Sequence, residues 1–363
     1  EKAAEVEQTQ LEAISLDEWV VDYSDLEEML PKGTVLMVGG KSHARIDHQL
    51  SLDELALLTP RLEAVCGAKL VAPEVTVKSV KHYFDEETQT FAWSSLGGRV
   101  HNEDGFAIVP GEERYAVADG MGGPDSGEQA SKLALMTWAV EGDLSKANDV
   151  LTDKMHPFSD GGTTFAEGRV LERFDDESVK LEVEHQADSV PMLLDTVGKR
   201  EIYMGLEQNI PGGLRADPKK THEYFHEKKW GRSVKGPLTH AVIDEVVRLK
   251  HSKANTICNG INCSGTYKDK EPISKTQICP KGTVMLLLTD GVTDVMSRHE
   301  IAQIFYENPF HEACVMLANE VERRQKDLSG GDVVLQVWPD GTETVLEDYS
   351  FGNDNATFVG RQF

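Results

Sequence analysis

The sequence predicts an α+β fold, and two kinds of pattern predict it. Short apolar or alternating segments separated by turn residues are typical of strands, and they follow one another from about residue 76 onward. Longer segments with apolar residues at helical spacing begin at serine or proline residues that favour a helix start. The chain is therefore expected to combine strands with capped helices, after a separate N-terminal segment.

Residues 1–80 are predicted to form that separate segment, an accessory module of α/β type. Ser15 and Ser51 each begin a helix capping box, in which a glutamate follows the serine by three residues. The role of this module is open, because it could dock a partner, cover a cleft or complete the fold.

One apolar run inside this module ends in a glycine-rich sequence. Gly33–Val38 is typical of a buried strand, and Gly39-Gly40-Lys41-Ser42 follows it. The ending resembles a phosphate-binding loop, but the first glycine of GxxxxGK[ST] would fall on Val35. A plain strand–turn–helix is therefore favoured over a nucleotide site.

The elements after residue 75 are read from periodicity and turn signals. Pro110-Gly111 lies between two short apolar segments, which indicates a hairpin. The predicted strands are Val75–Lys81, Phe106–Val109, Tyr115–Ala118, Val179–Glu184 and Thr283–Leu288. The predicted helices run from Ser126 to about Glu141, from a capping box at Ser297 and Glu300, and from Pro309 to about Lys326.

The composition of the chain disfavours some classes of binding partner and some cellular compartments. The net charge of −25 over 363 residues disfavours binding to nucleic acid or to anionic membranes. No apolar run approaches the roughly 18 residues of a membrane helix, and Glu1–Glu7 lacks the apolar core of a secretory signal. The five cysteines show no CxxC spacing, which favours a reducing compartment over zinc or disulfides. A cytoplasmic protein is expected.

Two pairs of motifs place acidic residues where apolar strands stop. The first pair is Arg99–Asp104 with Val117–Gly123, and the second is Leu288–Asp294 with Asn353–Thr357. Carboxylates in such positions suit hard, oxygen-preferring cations such as Mg²⁺ or Mn²⁺. The two pairs of motifs therefore look like the halves of one metal site.

Six motifs in order carry a resemblance to a known family. They are RxxxED from Arg99, VADGMGG from Val117, GTT from Gly162, ADS from Ala187, LLLTDGVTD from Leu286 and NDNAT from Asn353. This order resembles the metal-dependent protein phosphatases of the 2C type, especially the bacterial branch with Met inside DGMGG. The resemblance covers roughly residues 85–363. Any one motif is weak alone, since Asp-Gly dipeptides are common in turns.

The resemblance implies a four-layer α-β-β-α sandwich, in which helices flank two mainly antiparallel sheets. Residues 81–363 would form the catalytic domain, with the metals at one end of the sandwich. A long, partly irregular insertion at about 198–237 would be the flap beside the active site. Residues 1–80 and this flap are the candidate segments for docking a partner.

The resemblance also implies a role for each acidic residue. Asp119 would bridge both metals, and Gly120 would offer its backbone carbonyl to one of them. Asp290 and Asp354 would hold the first metal, while Glu103 would reach the second through its carboxylate or a water. Two or three Mg²⁺ or Mn²⁺ ions are expected.

Three further roles follow from the same resemblance. Asp104 and Asp188 would help to bind a third, weaker metal, and Arg99 would contact the substrate phosphate through its guanidinium fork. Arg99 has an alternative, which is a structural ion pair with a neighbouring acid. Met121 stands where eukaryotic relatives carry a proposed histidine acid, and Met cannot donate a proton.

The implied activity is that of a serine/threonine phosphoprotein phosphatase, a hydrolase in signalling. A metal-bridging water would attack phosphorus directly, without a phosphoenzyme. The alternative is a catalytically weak or inactive phosphatase-fold protein used for binding or regulation. It is suggested by the long insertion and by two departures from the family pattern, Ala187 in place of the usual glycine before Asp188 and Ala241 in place of the usual acid. A hydrolase of small phosphate esters is a third reading.

Overall fold

A computed structural model gives the architecture of this chain. It describes residues 29–38, 41–44, 76–78, 82–99, 101–122, 124–143, 146–147, 149–151, 161–209, 215–250, 261–262, 272–327 and 330–363. Along these segments, no helix has both the length and the apolar character that crossing a membrane requires.

The described residues include nineteen strands and six α-helices with defined bounds, besides helical residues at 146–147 and 149–151. The strands are β1 Val35–Val38, β2 Lys41–Ala44, β3 Thr76–Lys78, β4 His82–Asp85, β5 Thr90–Ser95, β6 Asp104–Val109, β7 Arg114–Met121, β8 Gly162–Thr163, β9 Phe165–Arg173, β10 Val179–Gln186, β11 Val190–Asp195, β12 Arg200–Met204, β13 Val234–Lys235, β14 Ile261–Asn262, β15 Ile273–Cys279, β16 Thr283–Leu288, β17 Gly331–Val337, β18 Glu343–Tyr349 and β19 Ala356–Gln362. The helices are α1 Pro124–Glu141, α2 Pro218–Glu227, α3 His240–Lys250, α4 Asp290–Thr293, α5 Arg298–Glu307 and α6 Phe310–Lys326.

Two large antiparallel sheets face each other. The first runs in the order β15-β10-β9-β7-β6-β1-β2-β3, with β8 and β14 attached beside β7. The second runs in the order β12-β11-β16-β19-β5-β4. Strands β16 and β19 cross the face of the first sheet against β7 and β6. Strands from both halves of the chain therefore meet in the middle of the sandwich.

The continuous apolar runs are explained by burial on both faces of a sheet. In β6, Phe106 and Ile108 lie between the two sheets, whereas Ala107 and Val109 face outward and pack with α1. Strand β16 behaves the same way, with inward Met285 and Leu287 and outward neighbours that contact α5 and α6. Helices thus cover both outer faces, and the predicted four-layer α-β-β-α sandwich is confirmed.

The predicted helix and hairpin signals are largely confirmed. The Ser297 hydroxyl accepts a hydrogen bond from the Glu300 backbone N–H at 3.1 Å, and the Glu300 carboxylate accepts one from the Ser297 N–H at 3.0 Å. Helix α6 follows Pro309 as predicted. Helix α1 begins at Pro124, two residues before the predicted Ser126, because proline is favoured in a first helical turn.

The N-terminal strands join the first sheet. Val35 pairs with Ile108 of β6 in antiparallel register, and β2 and β3 extend the sheet beyond β1. The prediction of strand–turn–helix around Gly39-Gly40 is wrong, because Lys41–Ala44 is a strand that pairs back onto β1. The segment Lys41–Ala44 is polar, so its strand conformation depends on pairing with β1 and not on a local apolar pattern.

Two predictions for residues 1–80 are not tested by the described residues. The capping boxes at Ser15 and Ser51 lie outside the described residues, and the module boundary near residue 80 stays a prediction. Within the described part of residues 1–80, the three strands are continuous with the sheet that carries β6 and β7.

The predicted insertion at 198–237 is more regular than expected. It contains β12 at the edge of the second sheet, α2, and β13, which pairs with β18 in a third, three-stranded sheet. Phe225 of α2 is fully buried against α3 and this small sheet. The insertion and the third sheet thus share a small core of their own, and its function as a flap stays a prediction.

A buried glutamate under α1 gives a testable pH dependence. Trp138 donates its indole N–H to Glu167, and burial, with a smaller contribution from Glu184, raises the pKa of Glu167 to about 8. The unfolded chain releases this proton near pH 4.5, so the folded state binds more protons between pH 4.5 and about 8. Stability should therefore fall as pH rises through that window, by up to about 1.4 kcal/mol per pH unit.

Glu167→Gln should reduce the slope by the contribution of this one group, because other buried acids with raised pKa values keep a slope of the same sign. The advantage of the variant over the unmodified chain should therefore grow toward pH 8. Urea unfolding at a series of pH values would measure it. Glu172→Gln, an exposed position on the same strand, is the control and should keep the slope. An unchanged slope in Glu167→Gln would contradict the assignment.

Candidate metal centre

The predicted acidic residues lie at the same end of the sandwich. Asp104 begins β6 and stands opposite Asp119 of β7 in antiparallel register. Asp290 follows β16 as the first residue of α4, and Asp354 lies two residues before β19. Asp188 lies just before β11. Because neighbouring strands are antiparallel, strand starts and strand ends alternate along this edge, and residues distant in sequence meet there.

Asp119 was predicted to lie at the end of a strand, but it lies two residues before the end of β7. Strand β7 continues to Met121, because β8 pairs with Gly120 and Met121 on its other side. The Asp119 carbonyl accepts hydrogen bonds from the Thr163 hydroxyl at 2.8 Å and from the Thr164 N–H at 2.9 Å. The GTT motif therefore holds the backbone of the DG motif in place.

A threonine joins the two sheets at the centre. The Thr289 hydroxyl donates to Asp104 Oδ2 at 2.9 Å and accepts from the Thr357 N–H at 2.9 Å. Asp104 belongs to the first sheet, Thr357 lies in β19 of the second sheet, and Thr289 lies between β16 and α4. This contact positions the fully buried Asp104 near the start of α4, where Asp290 lies.

A second group of acids lies beside Asp290. Asp188, Asp290 and Asp294 line one small cleft together with Glu207, Asn209, Arg248 and Thr293. Arg248 is a buried cation there, and it donates to the Thr293 carbonyl at 2.5 Å. The cleft therefore combines several carboxylates with one positive charge at its wall.

Burial and mutual repulsion shift the acidity of these groups. Burial raises the pKa of Asp104 to about 7 against the opposing hydrogen bond from Thr289. Burial and then Asp294 raise the pKa of Asp188 to about 7. The pKa values of Asp119 and Asp290 lie well above the usual range, first through burial and then through the carboxylates of Asp104 and Asp294 respectively. A cluster of this kind is stabilised by a bound cation.

Three oxygens in the cluster support the fit to a hard cation. Oδ1 of Asp104, of Asp188 and of Asp290 are buried and have no hydrogen-bond donor, although buried polar atoms normally have one. Among the described residues, no three His, Cys, Asp or Glu side chains already surround one point as ligands. Metal binding would therefore need carboxylates to turn toward a shared ion. Their oxygen-only chemistry fits Mg²⁺ or Mn²⁺.

Close packing around Glu103 requires glycine at positions 120 and 127. The Gly120 N–H donates to the Glu103 carbonyl at 3.1 Å. A Cβ on Gly120 would lie 2.1 Å from the Gly127 carbonyl oxygen, and one on Gly127 would lie 2.5 Å from Glu103 Oε2. The glycines therefore allow α1 to approach β7, which places the Glu103 carboxylate beside Gly127 of α1.

Arg99 forms an ion pair with Asp354, as its alternative interpretation expected. Its Nη2 donates to Asp354 Oδ2 at 2.5 Å. The Arg99 side chain is 56% exposed and that of Asp354 is 27% exposed, so this pair lies at the open rim of the cluster. The predicted contact with a substrate phosphate stays a prediction.

Asn355 links the two predicted halves of the centre, and its loss has a large expected cost. Its Oδ1 accepts from the Glu103 N–H at 2.8 Å, and its Nδ2 donates to the Leu96 and His101 carbonyls at 2.9 Å. Asn355→Ala would remove all three bonds, although the Leu96 carbonyl would still accept from the Arg99 N–H at 3.1 Å, and we expect a loss of about 3 kcal/mol in unfolding free energy. Urea denaturation would measure it.

The neighbouring Asn353 offers a matched control because its side chain is exposed. Asn353→Ala should change the unfolding free energy by less than about 0.5 kcal/mol. Equal losses in the two variants would show that the Asn355 bridge is unimportant.

Sequence reasoning missed part of the cleft. Asp294, Glu207 and Arg248 had no predicted role, although Asp294 was within a quoted motif. The spacing of Asp290 and Asp294, one helical turn apart, was the available signal for Asp294. Glu207 and Arg248 carry no such signal, because they reach the cleft only through the fold.

Comparisons with solved structures agree on the fold. The chain resembles the serine/threonine phosphatase PstP/Ppp of Mycobacterium tuberculosis, with 19% identity, a TM-score of 0.52, and coverage of 76% of this chain and 97% of that one. It also resembles Stp1 of Staphylococcus aureus, with 15% identity, a TM-score of 0.51, and coverage of 77% and 96%. A bacterial serine phosphatase matches with 17% identity, a TM-score of 0.51, and coverage of 76% and 97%.

Sequence comparison alone gives no match. No protein-family model matches the chain, and no curated protein matches it. The structural likeness shows that the sandwich has the fold of these bacterial serine/threonine phosphatases.

Proposed function

We propose that this chain is a metal-dependent serine/threonine phosphoprotein phosphatase. The observation that carries the proposal is the meeting of carboxylates from both sheets at one end of a phosphatase-type sandwich, three of them with a buried oxygen that lacks a donor. A purely structural role would not require so many like charges in one place, because their mutual repulsion lowers stability.

The proposed ligands are the side chains or, for glycine, the carbonyl of Glu103, Asp104, Asp119, Gly120, Asp188, Asp290 and Asp354. Mg²⁺ or Mn²⁺ held there would neutralise charge on the phosphoryl oxygens and lower the pKa of an attacking water. The chain itself contributes the positions of these carboxylates. Thr289 donates to the Asp104 carboxylate, whereas Thr163 and Asn355 hold the backbone of Asp119 and of Glu103 by hydrogen bonds. Met121 has no proton for the leaving group.

Arg99 is the proposed phosphate-binding residue. It is exposed at the rim and already pairs with Asp354, so a phosphate and Asp354 would compete for its guanidinium. Arg99→Ala should raise KM for a phosphopeptide by about 10–100-fold. This range corresponds to the loss of one hydrogen bond to a charged group, which contributes about 1.5–3 kcal/mol. An unchanged KM would leave Arg99 with only its ion pair to Asp354.

The proposed substrate is a phosphoprotein, docked through residues 1–80 or through the insertion at 198–237. The acidic balance of the chain disfavours nucleic acid and anionic membranes as partners. Hydrolysis of phosphoserine and phosphothreonine peptides with Mn²⁺, with Mg²⁺ and after EDTA treatment tests the activity. A small phosphate ester assayed in parallel tests the alternative substrate class.

Activity that EDTA removes and Mn²⁺ restores would support the proposal. Hydrolysis of the small ester alone would favour a hydrolase of small molecules. Metal binding by calorimetry without hydrolysis of either substrate would favour a phosphatase-fold protein used for binding or regulation. Absence of both metal binding and hydrolysis would overturn the metal centre.

A further inference from the structure

A pair of histidines lies on the solvent-exposed face of α2, within the insertion at 198–237. His222-Glu223-Tyr224-Phe225-His226 has the pattern H-E-x-x-H on a helix. Residues four apart on a helix share one face, and in this pattern the two imidazoles can bind one Zn²⁺ ion. Both histidines are exposed, so an ion in solution can reach them.

The geometry of the pair matches that of two ligands on one ion. The Nε2 atoms of His222 and His226 are 3.3 Å apart. With metal–nitrogen distances of about 2.0–2.1 Å, right-angled to tetrahedral coordination places two ligand nitrogens about 2.9–3.4 Å apart. The observed separation therefore needs almost no change in the side chains for both nitrogens to bind.

The helix that carries the pair is firmly attached. On the opposite face of α2, Thr221 and Phe225 are buried, and Phe225 packs into the core shared with α3 and the third sheet. The Asp217 carboxylate caps the start of the helix by accepting from the Lys219 and Lys220 N–H groups. The spacing of the two imidazoles is thus set by a regular, anchored helix, which lowers the entropy cost of binding.

We propose that His222 and His226 form a surface site for a divalent transition-metal ion of the Zn²⁺ class. Imidazole nitrogens prefer Zn²⁺, Ni²⁺ or Cu²⁺, whereas oxygen-only sites prefer Mg²⁺ and Mn²⁺. The ring of His240, at the start of α3, has its centroid 6.1 Å from that of His222. An ion on the pair would therefore lie near the junction of α2 and α3. This site is independent of the proposed phosphatase activity.

The histidine pair is assigned metal binding alone. In metalloproteases with this motif the glutamate is a general base, whereas here Glu223 lies 3.9 Å from Lys219 in an exposed i,i+4 pair. The inference is a chelating pair on the insertion, with a cation preference different from that of the carboxylate cluster.

The test is calorimetric titration of the full chain with Zn²⁺ in excess Mg²⁺, which occupies oxygen sites. One Zn²⁺ site should depend on the pair, and His222→Gln or His226→Gln should weaken it by at least about tenfold, the loss that even an outer-shell change can cause. Lys219→Gln, exposed on the same helix, is the control and should leave Zn²⁺ affinity unchanged.

Electron paramagnetic resonance with Cu²⁺ provides a second readout that does not depend on hydrolysis. The unmodified chain should show hyperfine coupling from two imidazole nitrogens, and either histidine variant should show fewer. Equal Zn²⁺ affinity in all variants, or unchanged nitrogen coupling in both histidine variants, would overturn the proposal. Loss of phosphatase activity would have no bearing on either measurement.

Discussion

Asp119→Asn should reduce metal-dependent hydrolysis by more than about a hundredfold, because changes in outer-shell partners alone already cost about 10–100-fold. Asp119 stands opposite Asp104 in the register of β6 and β7, and its backbone is held by Thr163 and Thr164. The amide keeps the shape of the side chain but loses the charge that a shared cation needs. Steady-state hydrolysis of a phosphothreonine peptide with Mn²⁺ would measure the loss.

The same substitution should have the opposite effect on stability without metal. Asp119 is crowded by Asp104 and Asp290, and like charges buried together are costly. The unfolding free energy of Asp119→Asn in EDTA should therefore rise by about 1 kcal/mol. Asp175→Asn, an exposed acid, is the control for both measurements. Activity that survives in Asp119→Asn would remove this residue from the proposed centre.

Arg248→Met should be the most destabilising of the substitutions considered, at about 3–5 kcal/mol, the cost of breaking a buried ion pair from one side. Arg248 is 4% exposed and pairs with Glu245 at 2.7 Å. It also donates to the carbonyls of Thr293 and Met296. Methionine can fill the volume but can make none of these contacts. Chemical denaturation followed by circular dichroism would measure the loss.

Arg248→Met should also weaken Mn²⁺ binding, because the carbonyl of Thr293 ties Arg248 to the short helix α4 that begins at Asp290. Calorimetry below the unfolding midpoint separates this effect from global unfolding. The matched control is Arg323→Met, since Arg323 is 58% exposed and pairs with Glu320 one turn away. Such surface pairs contribute about 0.2–1 kcal/mol. Equal destabilisation by the two variants would contradict the role given to Arg248.

Much of the fold could be predicted because local signals and burial agree. Thr283–Leu288 was predicted with its observed boundaries, since a six-residue apolar run buried on both faces has no competing helical pattern. The Ser297 capping box was also readable, because both of its hydrogen bonds lie within four residues. The prediction failed after Gly40, where Lys41–Ala44 is a strand paired with β1 instead of the expected helix, because the local sequence of this segment does not encode its pairing partner.

Ala187 shows how a sequence departure and a backbone conformation can be related. It replaces the glycine expected before Asp188, and it adopts a φ of +74°, a region where residues other than glycine are uncommon. The resemblance therefore expects glycine at a position whose backbone conformation favours glycine. The sequence alone does not explain how alanine is tolerated there. Its N–H donates to Gln208 Oε1 at 2.8 Å, and its carbonyl accepts from the Gln208 N–H at 2.6 Å. These two bonds hold the conformation in place.

By itself, the sequence determined the α+β class, the order of the acidic motifs and the oxygen-rich chemistry of the candidate centre, because these depend on residue type and short spacing. Only the tertiary structure decided that Arg99 pairs with Asp354, 255 residues away, and that Glu207 and Arg248 line the cleft beside Asp188. It also decided that the N-terminal strands complete the first sheet. The physical reason is that such contacts depend on which strand ends the antiparallel sheets bring together, and no local pattern encodes that.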